Sequence, residues 1–183
     1  MSLAHALLGL VRYQPSTGYQ LKDNFQHSIH FIWNATLPQI YRTLNQMENQ
    51  GWLRAEIVTQ VGKPNRKVYH ITEEGLKEFH RWLNEPMEPL GLKDSTLIKV
   101  FFGNGADPEQ FDINLQKLRD YYTEQLNIFQ LKCSEIIQNE VKKHGCPSEG
   151  VYWDLSVDFG VRWSKMIVEW CEHAQKVHKE LKG

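Results

Sequence analysis

Two stretches in the C-terminal half carry apolar side chains at alternating spacings of three and four residues, over a length that one helix pair cannot cover. Phe111, Leu115, Leu118, Tyr122, Leu126, Phe129, Cys133 and Ile136 form the first stretch. Phe159, Trp163, Met166, Trp170, Ala174, Val177 and Leu181 form the second. This is the spacing of one face of an α-helix. Each helix is expected to hold about thirty residues, or roughly 45 Å. Asp107, Pro108 and Gln110 give the first a start signal of N-cap, first helical position and N3. HGCPSEG separates the two, and Ile167 and Cys171 widen the second stripe so that it meets more than one neighbour. A short helix from about Lys93 to Phe102 is the only other helical material in this half. The stripes therefore call for a second copy of the chain about a two-fold axis, or for docking on the chain's own N-terminal part. The two-fold dimer is the more economical arrangement.

The N-terminal half has a different rhythm. Leu3, Leu7, Leu8 and Val11 mark a helix over residues 2–12, which QPSTG ends through Pro15 and Gly18. A short helix over 17–25 follows. LPQIYRTLNQMENQGWL then begins a helix near Pro38, and Gly51 closes it. Two β segments, Leu53 to Val61 and VYHI, flank the turn GKPNRK. Thr72 caps a further helix, with Glu73 and Glu74 suited to the positive end of its dipole. NEPMEPLGL, with two prolines and a glycine, reads as a linker. The expected organisation is residues 1–84, a linker at 85–92, and a helical dimerisation domain at 93–183. The fold class is mainly α with a small β wing.

The helix that begins at Pro38 has an unusual solvent face. Ile40, Leu44 and Met47 recur at i, i+4 and i+7 and face a core, leaving Gln39, Arg42, Asn45, Gln46 and Asn49 for solvent. A solvated helix is normally rich in Glu and Lys pairs; here there are amides and one guanidinium. Asn and Gln form bidentate hydrogen bonds to adenine, and Arg to guanine, in the major groove of DNA. A helix, a turn and this helix give helix-turn-helix order, and the strands with their basic turn add a wing. Lys63, Arg66 and Lys67 on that wing are placed to neutralise phosphates. Charge supports this: residues 1–72 hold seven Lys/Arg against three Asp/Glu, and the remainder fourteen against nineteen. The positive field lies in the half that carries the amide-rich helix.

Other chemistries are poorly served. With glycine excluded, the longest unbroken apolar run is three residues, so no membrane-spanning helix is expected. The N-terminus lacks a basic leader, and Cys133, Cys146 and Cys171 are an odd number, so a reducing cytoplasm is expected. His144, Cys146, Cys171 and His173 are competent zinc ligands. The two pairs lie roughly 35 Å apart along a helix, so no shared metal site is expected. His27 and His30 read as surface or cap residues. No nucleophile elbow and no phosphate loop is present, so neither an enzyme nor a cofactor is expected.

The sequence resembles the PadR family of winged-helix transcriptional regulators. The resemblance rests on ALLGLVRYQPSTGYQL, PQIYRTLNQMENQGWL and RKVYHITEEGLKEFHRWL, and the two-long-helix tail looks like that of members with the larger C-terminal domain. It implies a homodimeric regulator, commonly a repressor on a pseudo-palindromic operator in double-stranded DNA, released in some members by an aromatic or phenolic compound. Tyr19 and Tyr41 match tyrosines that pack the helix-turn-helix or touch phosphate. Thr36, Gln39, Arg42 and Asn45 fall where the recognition helix meets DNA, and Lys63 to Lys67 match the wing. Pro64 and Asn65 depart from a denser arginine cluster in several relatives, which leaves the wing suited to phosphate rather than bases. Trp153, Phe159, Trp163 and Trp170 either pack a dimer core or line a pocket for a flat aromatic effector. The alternative overall reading is a winged helix that scaffolds a protein partner without binding DNA.

Overall fold

The computed structural model describes residues 2–28, 33, 35–60, 62, 65–91 and 94–181. It divides into two compact units, Met1–Pro89 and Leu90–Gly183. The first contains α1 (Ser2–Tyr13), β1 (Ser16–Thr17), α2 (Gly18–His27), α3 (Leu37–Asn49), β2 (Leu53–Val58), β3 (Arg66–Ile71) and α4 (Glu73–Leu83). Its core is drawn from every helix and from the sheet: Leu7, Leu8 and Val11 of α1, Leu21 and Phe25 of α2, Ile40, Leu44 and Met47 of α3, with Leu53, Tyr69 and Phe79. Each such large side chain stabilises the unit by about 1.5–3 kcal/mol when fully buried. The three α3 residues are those whose spacing predicts a core stripe.

The sheet has three antiparallel strands in the order β1-β3-β2. Its third strand is a finding, since QPSTG reads as a break and a cap. Thr17 does both jobs, pairing with Val68 while its hydroxyl accepts from the Gln20 amide at 3.2 Å to start α2. In the β2–β3 ribbon Leu53, Ala55 and Ile57 oppose Ile71, Tyr69 and Lys67 on one face; Arg54, Glu56 and Val58 oppose His70, Val68 and Arg66 on the other. Thr72 caps α4, accepting from Gly75 at 3.0 Å. The α4 helix is fastened to α1 by His5, which is almost fully buried. The His5 ring stacks on Trp82 at 4.6 Å, and its Nε2 lies 3.0 Å from Glu78 Oε1.

The second unit contains α5 (Ser95–Phe101), one 3₁₀ turn (Gly103–Gly105), α6 (Pro108–Leu131), α7 (Cys133–His144) and α8 (Pro147–Glu180). Asp107 caps α6 as its spacing predicts, accepting from the Gln110 amide at 2.8 Å. The first long helix is not continuous. It breaks at Lys132 (φ −111°), where α6 ends and α7 begins. Ile136, expected in the stripe, is exposed, whereas Ile137 and Val141 turn toward α8.

Helices α6 and α7 run antiparallel to α8. Asp112 meets His178, Arg119 meets Gln175, Phe129 meets Gly160 and Val141 meets Gly150. The face that α8 turns to them therefore differs from the expected stripe. The fully buried α8 residues are Gly150, Gly160, Ser164 and Cys171, with Trp153, Val157, Val168, Gln175 and His178 half-buried in the same register. A Cβ on Gly160 would sit 2.9 Å from the Phe129 ring, so its absence sets how closely the helices approach. The large apolar residues of the expected stripe flank this seam. Phe159, Met166 and Val177 are exposed, and Trp163 and Trp170 are half-buried. Close packing of long helices selects small residues, so the seam within the chain is carried by a face that the bulky stripe does not mark.

Candidate nucleic-acid interface

The exposed face of α3 is built from its own periodicity. At 100° per residue, Arg42 and Asn49 lie opposite the Ile40–Leu44–Met47 stripe. Gln39, Asn45 and Gln46 complete the outward surface, and all five are exposed. The Arg42 guanidinium has no ion-pair partner among the described residues. It is carried on helical backbone and faces solvent.

The N-terminus of α3 adds a constraint that spacing alone does not reveal. Gln39 Oε1 accepts from both the Thr36 amide, at 2.8 Å, and the Thr36 hydroxyl, at 2.9 Å. Gln39 thus serves as the N3 member of a capping box, and its carbonyl is occupied. In this conformation it offers its Nε2 hydrogens and not a full bidentate edge. Gln20 plays the same part at α2, accepting from the Thr17 amide at 2.9 Å and hydroxyl at 3.0 Å. Neither helix has an acidic residue in its first turn, whereas α4, α6, α7 and α8 each do. Glutamine in place of the usual alternative, glutamate, leaves the positive ends of both dipoles uncompensated, as suits an approaching anion.

Tyr41 locks α2 against α3. A Cβ added to Gly18 would lie 2.5 Å from the Tyr41 ring, so the tyrosine fills the space that glycine leaves. The residue remains 40% exposed, and Tyr19 beside it is 68% exposed. Both readings given to Tyr41, packing residue and surface contact, are compatible with that placement.

Alternation along β3 sends the wing cations to opposite faces of the ribbon. Arg66 lies opposite Val58 and is exposed with no ion-pair partner among the described residues. Lys67 lies on the Tyr69 face, where its ammonium contacts Glu48 of α3 at 2.6 Å and rests 5.3 Å from the centre of the Tyr69 ring. The hydrogen bond to Glu48 raises the Lys67 pKa above its ordinary value. Glu48 received no role from the sequence, and only the period of two in β3 could have hinted that Lys67 and Arg66 face opposite sides of the ribbon. Lys63 and Pro64 lie outside the described residues, as do His30 and the side chain of His27.

In the helical unit three of the four aromatic candidates share one face of α8 and the fourth does not. The Phe159 and Trp163 rings are 6.2 Å apart and nearly parallel. Trp170 shares their face two turns on, while Trp153 lies on the seam with α6 and α7. Cys171 is buried, and burial raises its thiol pKa. His173 on the same helix is exposed. Among the described residues no three His, Cys, Asp or Glu side chains are grouped to hold a metal ion, and no helix is long and apolar enough to cross a membrane.

Three helices closed by a β-hairpin, with the third helix exposing its polar face, define a winged helix-turn-helix protein. Residues 7–81 match the PadR-like transcriptional regulator family, and residues 92–179 match the C-terminal domain family described as virulence activator alpha. The chain belongs to the PadR-like transcriptional regulators, in the form with the larger C-terminal domain. It is 48% identical over 89 residues to a probable transcriptional regulator of Mycobacterium tuberculosis, a match spanning 49% of this chain and 47% of that one. It is 29% identical over 160 residues to the negative transcriptional regulator PadR of Bacillus subtilis, spanning 86% of this chain and 82% of that protein. The solved structure of Bacillus subtilis PadR in complex with operator DNA superposes with a TM-score of 0.68 at 26% identity, over 97% of this chain and 99% of that one. The same protein in complex with p-coumaric acid gives 0.63 at 25% identity, over 98% and 99%.

Proposed function

We propose that this regulator acts as a homodimeric repressor that inserts α3 of each copy into the major groove of a pseudo-palindromic operator. The observation that carries the proposal is the exposed α3 face, where Arg42 stands among amides and opposite the core, with no ion partner among the described residues. Asn45 and the Gln39 Nε2 hydrogens extend base contact along the helix. Thr36, Tyr19 and Tyr41 flank it at the height of the phosphates, and Arg66 reaches the backbone from the wing. Lys63 is proposed for the same role by its position in the chain. The likeness to a protein solved in complex with operator DNA supports the reading.

The tail supplies the dimer. Phe159, Trp163, Met166 and Trp170 leave a largely uncovered apolar band on α8 beside the seam that α6 and α7 occupy. A second copy of the same band covers it isologously. The effector is a small aromatic acid, received near Phe159, Trp163 and Trp170, with Trp153 behind them on the seam; binding releases DNA. The p-coumaric acid complex of the Bacillus subtilis relative supports this class of ligand.

Selection of bound fragments from random-sequence duplex DNA tests the proposal. Enrichment of a two-fold symmetric sequence that Arg42→Ala no longer enriches is the expected result. Equal recovery of all sequences by both proteins contradicts base reading by α3. For the tail, tryptophan emission titrated with p-coumaric acid should shift or quench at millimolar ligand, and an unchanged spectrum contradicts the effector assignment.

A further inference from the structure

Glu48 is the only acidic residue on α3. A carboxylate on a helix that enters the field of a polyanion weakens the approach unless its charge is cancelled in place. The cancelling group is Lys67, whose Nζ lies 2.6 Å from Glu48 Oε2, nineteen residues along the chain and on another element. The ammonium is held from below by the Tyr69 ring, which is itself buried in the core. Arg66, one residue earlier on β3, faces the other side of the ribbon and is exposed. Two adjacent basic residues in the same wing thus have different surroundings, although they look equivalent in the sequence.

We propose that Glu48 and Lys67 form a neutral strut between the recognition helix and the wing, so that Lys67 positions the wing and Arg66, not Lys67, is the described β3 cation that meets phosphate. Two consequences distinguish this from a simple phosphate contact. Lys67 adds nothing to the count of counterions released when DNA binds, because its charge is already matched. Glu48 restrains that count, because removing it frees a cation next to the recognition helix. The inference rests on the DNA-binding reading above and assigns residue roles within it.

A two-by-two set of full-length variants tests the strut through the slope of log K against log salt, measured on a duplex recovered by selection from random-sequence DNA. For each phosphate newly neutralised the slope steepens by about 0.9. The strut predicts a steeper slope by about that amount for Glu48→Gln and, because the Glu48 carboxylate then loses its matching charge, a shallower one for Lys67→Met. The double variant should return to the wild-type slope. A phosphate-bound Lys67 predicts instead that Glu48→Gln matches wild type and that the double variant matches Lys67→Met; that result overturns the proposal. Slopes unchanged in all variants overturn it too, because the pair would then lie away from the duplex. Failure of the wild-type protein to bind any duplex in a salt-dependent way is a separate outcome, which removes the DNA-binding reading and the strut with it. In the ¹⁵N-labelled protein the Lys67 ammonium resonance should keep its free-state position when DNA is added. A shift to that of a phosphate-bound lysine contradicts the strut independently of affinity.

Discussion

Arg42 carries the largest single expectation at the scale of residues. Its position opposite Ile40, Leu44 and Met47 fixes the guanidinium on the outward face, so Arg42→Ala should cost about 1–3 kcal/mol of operator affinity. The loss should fall mainly on the base pair it reads, measured by competition with single-base operator variants. A uniform loss across sequences would make Arg42 a phosphate contact. Glu78 offers a prediction about stability. Hydrogen bonds from Arg81, and then from His5, hold its carboxyl at about 2, below the ordinary value of 4.5. A carboxyl depressed in the folded state contributes stability above its unfolded pKa and loses that contribution as pH falls through the folded one. The α1–α4 fastening should therefore weaken between about pH 4.5 and about pH 2. Urea unfolding of Glu78→Gln should show lower stability at neutral pH and a flatter dependence across that window; parallel pH curves for the two proteins would contradict the assignment.

Elements are where the sequence was most and least informative. Thr72 and Asp107 cap α4 and α6 as their neighbours predict, and the α3 stripe was visible from three residues at helical spacing. Each is a local signal, written within one turn. The misses are relations between distant residues. β1 exists because Ser16 and Thr17 pair with Tyr69 and Val68, a contact that leaves no periodicity in a two-residue strand. The break at Lys132 has no proline or glycine to mark it. The α8 seam is composed of small residues, and a reading that follows bulk passes over them. Gly160 makes this testable: Gly160→Ala should destabilise the helical unit by about 1–3 kcal/mol through overpacking against Phe129. Thermal unfolding that is unchanged would show that the helices have room to part. On the elements proposed to face DNA, the capping box takes Gln39 half out of the role its side chain suggests. Thr36→Ala should remove about 0.5–2 kcal/mol of stability through α3. It should also leave the Gln39 carbonyl with one donor, the residue-36 amide, in place of two, and so loosen the side chain, seen as a changed base preference in the selected duplex.

At the scale of the whole molecule, the α8 band and the α3 surface depend on each other. One chain of 21.5 kDa presents one reading helix, and half-sites one helical turn apart, about 34 Å, need two. In the proposed assembly the tail supplies the symmetry and the winged helix supplies the contact. Trp163→Glu, which puts a charge in the uncovered band, should yield particles of half the mass in sedimentation and weaken operator binding, with α3 untouched. Unaltered mass would move the dimer contact elsewhere on the helical unit. Hydroxyl-radical footprinting of the wild-type protein on its selected duplex, with the chain-to-duplex ratio measured on the same sample, tests the joint claim most directly. Two chains per duplex, with two symmetric protected patches centred about 34 Å apart or a multiple of that spacing, is the predicted result. One chain protecting one patch would contradict it.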